Sequence, residues 1–158
     1  MVHYMFETEW ELTAPIEQVF DALSRPEDFQ TWWPSVTRSV RVAEGDEHGV
    51  GAQASYTIRG PLLYSLTFDL KTIEVDRPHH IRAVVRGDLI GTGAYHLDST
   101  GNSTHVRFNW YVSTTKPWMN AAGVLAKPVL GRIWRKNLHR LALQVESGDN
   151  RHFVLSPP

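Results

Sequence analysis

From His3 to Leu12 the chain alternates with a period of two. Tyr4, Phe6, Thr8, Trp10 and Leu12 share one parity, and Met5, Glu7, Glu9 and Glu11 the other. Successive strand side chains point to opposite faces, so this predicts a half-buried strand with an acidic outer face. The period then changes. Ile16, Val19, Phe20 and Leu23 mark one face of a helix. Thr13 is placed to cap it, and Pro15 falls near the first turn, where a missing N–H costs nothing. Arg25-Pro26 interrupts the pattern. A second short helix, over about Pro26–Thr31, ends before Trp32-Trp33-Pro34.

Alternation then returns six times. Residues 35–45 place Val36, Val40 and Val42 on one side and Arg41 on the other. Residues 51–59 group Ala52, Ala54, Tyr56 and Ile58, and residues 64–75 group Tyr64, Leu66, Phe68 and Leu70. Strands at 79–86 and 89–97 follow, and 104–113 sets Val106, Phe108, Trp110 and Val112 against His105, Arg107, Asn109 and Tyr111. Turn signals at Gly45–Gly49, Gly60-Pro61, Asp76–Pro78 and Ser99–Asn102 separate them. Connections this short force antiparallel neighbours, because a parallel crossover needs a dozen or more residues. Residues 118–147 switch to helical spacing, with Ala122, Val129, Ile133, Leu138, Leu141 and Val145 on one side. Pro128 and Gly131 bend or break the first half; the helix is firm from Arg132 to Glu146, with Gly148 as a C-cap. The predicted fold is α+β. A curved, seven-stranded antiparallel sheet wraps around a long C-terminal helix, with two short helices between strands 1 and 2. Residues 1–148 form one domain and 149–158 a tail.

Composition narrows the picture. At 158 residues the chain can bury a real core as one domain. A net charge of −1 gives no global field to attract nucleic acid or an anionic membrane. The absence of cysteine excludes disulfides, thiolate nucleophiles and thiolate-held metal centres. The longest apolar stretch, around 120–134, is broken by Lys127, Pro128 and Arg132. It falls short of the roughly 18 apolar residues that suggest a membrane span. No stable membrane insertion is expected, and the default location is the cytoplasm. Six tryptophans raise the aromatic share to 11%, enough to line a cavity as well as fill a core.

Three stretches carry a resemblance. The first is the Trp10 strand leading into Ala14–Leu23 and then Trp32–Val36. The second runs from Gly87-Asp88-Leu89-Ile90-Gly91-Thr92-Gly93 through Gly101 and Thr104 to the Val106–Trp110 strand. The third is the closing helix. In order of elements the chain resembles the START-related, polyketide cyclase/dehydrase-like proteins of the helix-grip fold. That family includes lipid and sterol carriers, aromatic polyketide cyclases, hormone receptors and quinone-binding proteins. The resemblance implies a deep, largely apolar cavity between sheet and helix. Many members carry an Asn-His pair in that helix; here Asn137 and His139 lie near the position but are not adjacent.

The residues supply few candidates for chemistry. There is no Gly-rich phosphate loop, no HExxH and no G-x-S-x-G. Gly91 and Gly93 suit close strand packing or a bulge, or leave room for a ligand. His79 and His80 point to opposite faces, so they make no metal site, and no metal or cofactor is expected. His96 and His105 read as surface residues. Arg82 and Arg86 read as outer-face residues, or as anchors for an anion if the parity inverts. Asp69, Glu74 and Asp88 look outward or turn-associated, so no catalytic residue is assigned. Tyr56 beside Ala52 and Ala54 has the composition of a cavity wall, and Tyr95 rather than His96 is expected to face inward. The candidate lining is Trp10, Trp33, Tyr56, Phe68, Tyr95, Phe108, Trp110, Val129 and Ile133. The expected function is binding of a small hydrophobic molecule: a lipid, a quinone or a polyketide-like ring system. One alternative is a polyketide cyclase or dehydratase acting in the same cavity. The other is a stress-related or interaction domain using the basic helix face of Arg132, Arg135, Lys136 and Arg140.

Overall fold

The structure, a computed structural model, describes residues 3–33, 35–59 and 64–116. The chain enters as β1 (His3–Leu12) and passes into α1 (Ile16–Leu23). A 3-10 turn (Pro26–Asp28) and the single-turn α2 (Phe29–Trp32) follow. Six strands complete the order: β2 (Val36–Ala43), β3 (Gln53–Arg59), β4 (Ser65–Asp76), β5 (His80–Gly87), β6 (Leu89–Thr100) and β7 (Ser103–Thr114). All seven strands form one sheet in the order β1-β7-β6-β5-β4-β3-β2, with every neighbouring pair antiparallel. From β2 onward each strand pairs with the next, and β1 adds to β7. The helical insert therefore has to carry the chain from one edge of the sheet to the other, which lays it across one face.

Two expectations are corrected here. The sequence pattern predicts a curved sheet wrapped around a long C-terminal helix. Instead the sheet is open, with β1 and β2 as its edges, and the only described helix longer than one turn is α1, near the N-terminus. Residues 117–158, including Val129 and Ile133, the Pro128/Gly131 region and the basic positions of 132–140, lie outside the described residues. The second correction concerns Thr13, expected to cap α1. Pro15 is the N-cap residue, in extended conformation and with no side-chain cap bond. Proline disfavours helical geometry in the residue before it, so Ala14 cannot join the helix and its start moves to Ile16.

The core follows the strand parities. Leu12, Val19, Val85, Leu97 and Val106 are fully buried, and Ile16, Phe20 and Leu23 of α1 pack onto the same cluster. On β1 the outward Glu7, Glu9 and Glu11 are exposed as the alternation requires. They place charge along one sheet edge, a feature that discourages pairing with other chains. Strand β2 departs from its sequence pattern. Val36 pairs with Ile58 but Arg38 with Thr57, so Thr37 is an extra residue in the ladder. A one-residue slip moves all later side chains to the opposite face. Ser39 is thus buried and Arg41 turns inward, while Val40 and Val42 are left exposed.

Candidate functional site

The inner face of the sheet alternates large and small side chains. In the β3–β4 register, Ala54 stands opposite Leu70 and Tyr56 opposite Phe68. Farther across, Ala83 stands opposite Gly93, Gly93 opposite Trp110, and Tyr95 opposite Phe108. Where Ala54, Ala83 and Gly93 supply no bulk, the rings around them cannot close the space. The result is a cavity of about 360 Å³. Its roof is the helical insert, through Phe20, Leu23, Phe29 and Trp33. Tyr56 and Phe68 stack with centroids 5.7 Å apart, Phe108 and Trp110 at 5.8 Å, and Tyr95 lies 4.8 Å from Phe108. Phe29 leans on Tyr56 from above at 5.7 Å. These rings are mutually braced, so the wall is largely preformed.

Six of the candidate lining residues come together in this cavity: Trp33, Tyr56, Phe68, Tyr95, Phe108 and Trp110. Trp10 does not reach it. It stands opposite Val106, on edge strand β1. The β1–α1 loop covers that end of the face, held where Thr104 Oγ1 donates to the Ala14 carbonyl at 2.8 Å. Val129 and Ile133 are outside the described residues.

Polar groups are sparse within the cavity and concentrated at its rim. Tyr56 is buried, and burial pushes its phenol far above the usual range. The nearby Tyr95 and Glu27 add to that, while Arg41 and a hydrogen bond with Ser39 act weakly against it. Burial raises Tyr95 strongly as well. Both phenols therefore stay protonated and can donate hydrogen bonds inside an apolar wall. This predicts an alkaline limit to stability. A phenol raised in the folded state is protonated there when its unfolded counterpart ionises, near pH 10.0. The two phenols therefore leave stability unchanged below about pH 10 and lower it above, by up to about 1.4 kcal/mol per buried tyrosine per pH unit. Urea unfolding at increasing pH should show that decline. In Tyr56→Phe the slope should be shallower than in the wild type.

Arg41 and Arg77 stand at the rim, and the sequence pattern points to neither. Arg41 stands opposite Ala54 in the β2–β3 register, and its guanidinium donates to Glu27 Oε2 at 3.1 Å and to the Ser24 carbonyl at 3.3 Å. Arg77 pairs with Asp21 and lies 4.9 Å over the Phe20 ring. Each ties the helical insert to a strand end. The alternation of 35–45 puts Arg41 on the wrong face because no residue in 35–38 signals the bulge at Thr37. Asp46, Glu47 and His48, in the β2–β3 loop, complete the rim. Asp46 is occupied there, accepting from the His48 and Val50 amides at 2.9 Å each.

Other candidates lie elsewhere. Arg82 donates to Glu74 on the outer face, and Arg86 stands opposite Asp69, exposed. Asp88 accepts from the Thr67 amide at 2.8 Å in the β5–β6 turn. His80, His96 and His105 are on the outer face, alternate to the cavity residues Ile81, Tyr95 and Phe108. Among the described residues no group of three or more His, Asp or Glu side chains could hold a metal ion.

Solved structures share this architecture at low identity. TTHA0849 from Thermus thermophilus superposes with a TM-score of 0.79 at 17% identity, over 92% of this chain and 99% of that one. A START superfamily protein from Mycobacterium smegmatis gives 0.68 at 18%, over 93% and 97%. The di-domain ARO/CYC StfQ from the steffimycin biosynthetic pathway gives 0.71 at 15%; the match covers 93% of this chain but 52% of StfQ. No curated protein matches the sequence. A family profile described as polyketide cyclase / dehydrase and lipid transport matches residues 4–146. Nearly the whole chain is thus accounted for, in sequence by that profile and in fold by its structural neighbours, and it belongs to the polyketide cyclase/dehydrase and lipid transport family.

Proposed function

We propose that this protein binds a small, ring-bearing hydrophobic ligand, of the quinone or polyketide-like class, in the cavity beneath the helical insert. The observation that carries the reading is an aromatic wall interrupted by two protonated phenols, Tyr56 and Tyr95, over floor positions kept small by Ala54, Ala83 and Gly93. Flat rings stack on such a wall, and a ligand carbonyl or hydroxyl can accept from the phenols. A cavity of about 360 Å³ lies within the range that holds small organic ligands. The likeness to StfQ supports a ring system over a single acyl chain. Among the described residues no helix is long and apolar enough to cross a membrane.

A cyclase or dehydratase would use the same two hydroxyls to polarise a carbonyl oxygen. Binding is preferred because phenols with raised pKa do not take up protons at neutral pH, and the carboxylates and imidazole of the lining are at the rim. Titration with a naphthoquinone, followed by tryptophan quenching, tests the reading. Saturable binding in the micromolar range is expected. Ala54→Trp, which fills the cavity from its floor, should weaken binding at least tenfold with the fold retained by circular dichroism. Tyr56→Phe should weaken it by about threefold to tenfold, the worth of one hydrogen bond. Equal binding by Ala54→Trp and the wild type would place the ligand elsewhere.

A further inference from the structure

The outer face of the sheet carries a histidine pair that plays no part in the cavity. His80 on β5 and His96 on β6 are directly opposed in the antiparallel register. Their rings lie 4.6 Å apart, and the two Nδ1 atoms approach to 3.2 Å. Two nitrogen ligands at about 2.0–2.1 Å from a tetrahedral ion stand roughly 3.3 Å apart, so the two ring nitrogens already have the spacing of a chelate. Glu74 on β4 supplies the supporting contact. Its Oε2 lies 3.2 Å from His80 Nε2. A carboxylate there holds the proton on Nε2 and leaves Nδ1 of His80 as the lone pair. Arg82 donates to the other oxygen of Glu74 and so fixes the carboxylate.

We propose that His80 and His96 form a binding site for a divalent transition-metal ion of the zinc class, with Glu74 as the positioning residue. Without metal, His80 Nδ1 accepts from the protonated Nδ1 of His96. Metal binding breaks that hydrogen bond and moves the His96 proton from Nδ1 to Nε2, so both rings ligate as neutral imidazoles through Nδ1 with no net loss of a proton. The charges facing the pair are Glu74, Asp76, Arg82, Asp98 and Arg107, three acidic against two basic, so the local field does not oppose a cation. The His80 side chain is 22% exposed, which leaves the remaining coordination positions to water.

Calorimetric titration of the full chain with Zn²⁺ alone, near neutral pH, tests the site. One ion per chain is expected, with micromolar affinity and no net proton release from the two neutral rings. His80→Ala and His96→Ala should each weaken binding at least tenfold. His96→Phe, which keeps the ring contact with His80 and thus the local packing, should do the same. Glu74→Ala should weaken binding by roughly tenfold. His105→Ala, on the same face but away from the pair, should bind as the wild type does. The proposal fails if wild type shows no saturable binding, if His96→Phe binds equally tightly, or if His105→Ala abolishes binding. None of these outcomes depends on the occupant of the cavity.

Discussion

Gly91→Ala should destabilise the protein by about 4 kcal/mol or more, in the exceptional class for a single methyl group. Gly91 is on β6 opposite Val112 of β7, at φ +156°, where L side chains are rarely found. A Cβ there would lie 1.9 Å from the Tyr111 carbonyl oxygen and 2.8 Å from Val112 Cα. Both are backbone atoms of a paired strand, so relief requires breaking the β6–β7 ladder near its Leu89/Thr114 end. Gly93, two residues on, offers the contrast. There a Cβ would meet Trp110 Cε3 at 2.6 Å and Cζ3 at 2.8 Å, atoms of a side chain that can rotate. Gly93→Ala should therefore cost about 1–2 kcal/mol, within the range for overpacking, and push Trp110 into the cavity. Urea unfolding of both variants checks the order; a Gly91→Ala protein as stable as Gly93→Ala would refute the close-approach argument.

Phe68→Ala should lower stability by about 3 kcal/mol and at the same time widen what the cavity accepts. Phe68 is buried on β4, stacked on Tyr56 at 5.7 Å and edge-on to Trp110 at 6.1 Å. Removing a buried phenylalanine costs about 3–5 kcal/mol through lost transfer energy and the void left behind. The lower end applies because Phe68 already faces open volume, so fewer contacts are lost than in a filled core. The void joins the existing cavity. A naphthoquinone should bind more weakly for want of the stacked ring, and a three-ring quinone should gain relative to it. Unfolding free energy and a comparison of the two affinities in wild type and variant measure both effects. An unchanged affinity ratio would remove Phe68 from the ligand's surroundings.

Much of the candidate site is legible in the sequence because strand parity is a strictly local signal. Tyr56, Phe68, Tyr95, Phe108 and Trp110 each declare their face through neighbours two residues away, and the structure gathers all five around one cavity. Arg41 escapes that reading because the bulge at Thr37 is a property of the β2–β3 pairing, and nothing within β2 announces it. Trp10 has the inward parity but stands on the edge strand, at the end covered by the β1–α1 loop. The distance of a residue from the cavity depends on strand order, which its own strand does not encode.

Local sequence is enough to specify the strands, the helical insert and which face of most strands is apolar. Those features follow from side-chain periodicity and from turn residues acting over a few positions. Three others arise only on assembly: the open sheet with β1 beside β7, the anchoring of the insert to the rim by Arg41 and Arg77, and the meeting of His80 with His96 across two strands. Each of these joins different elements, at residues 14 or more positions apart along the chain. The free energy that selects them resides in contacts formed only when the sheet assembles, so no local window of sequence contains it.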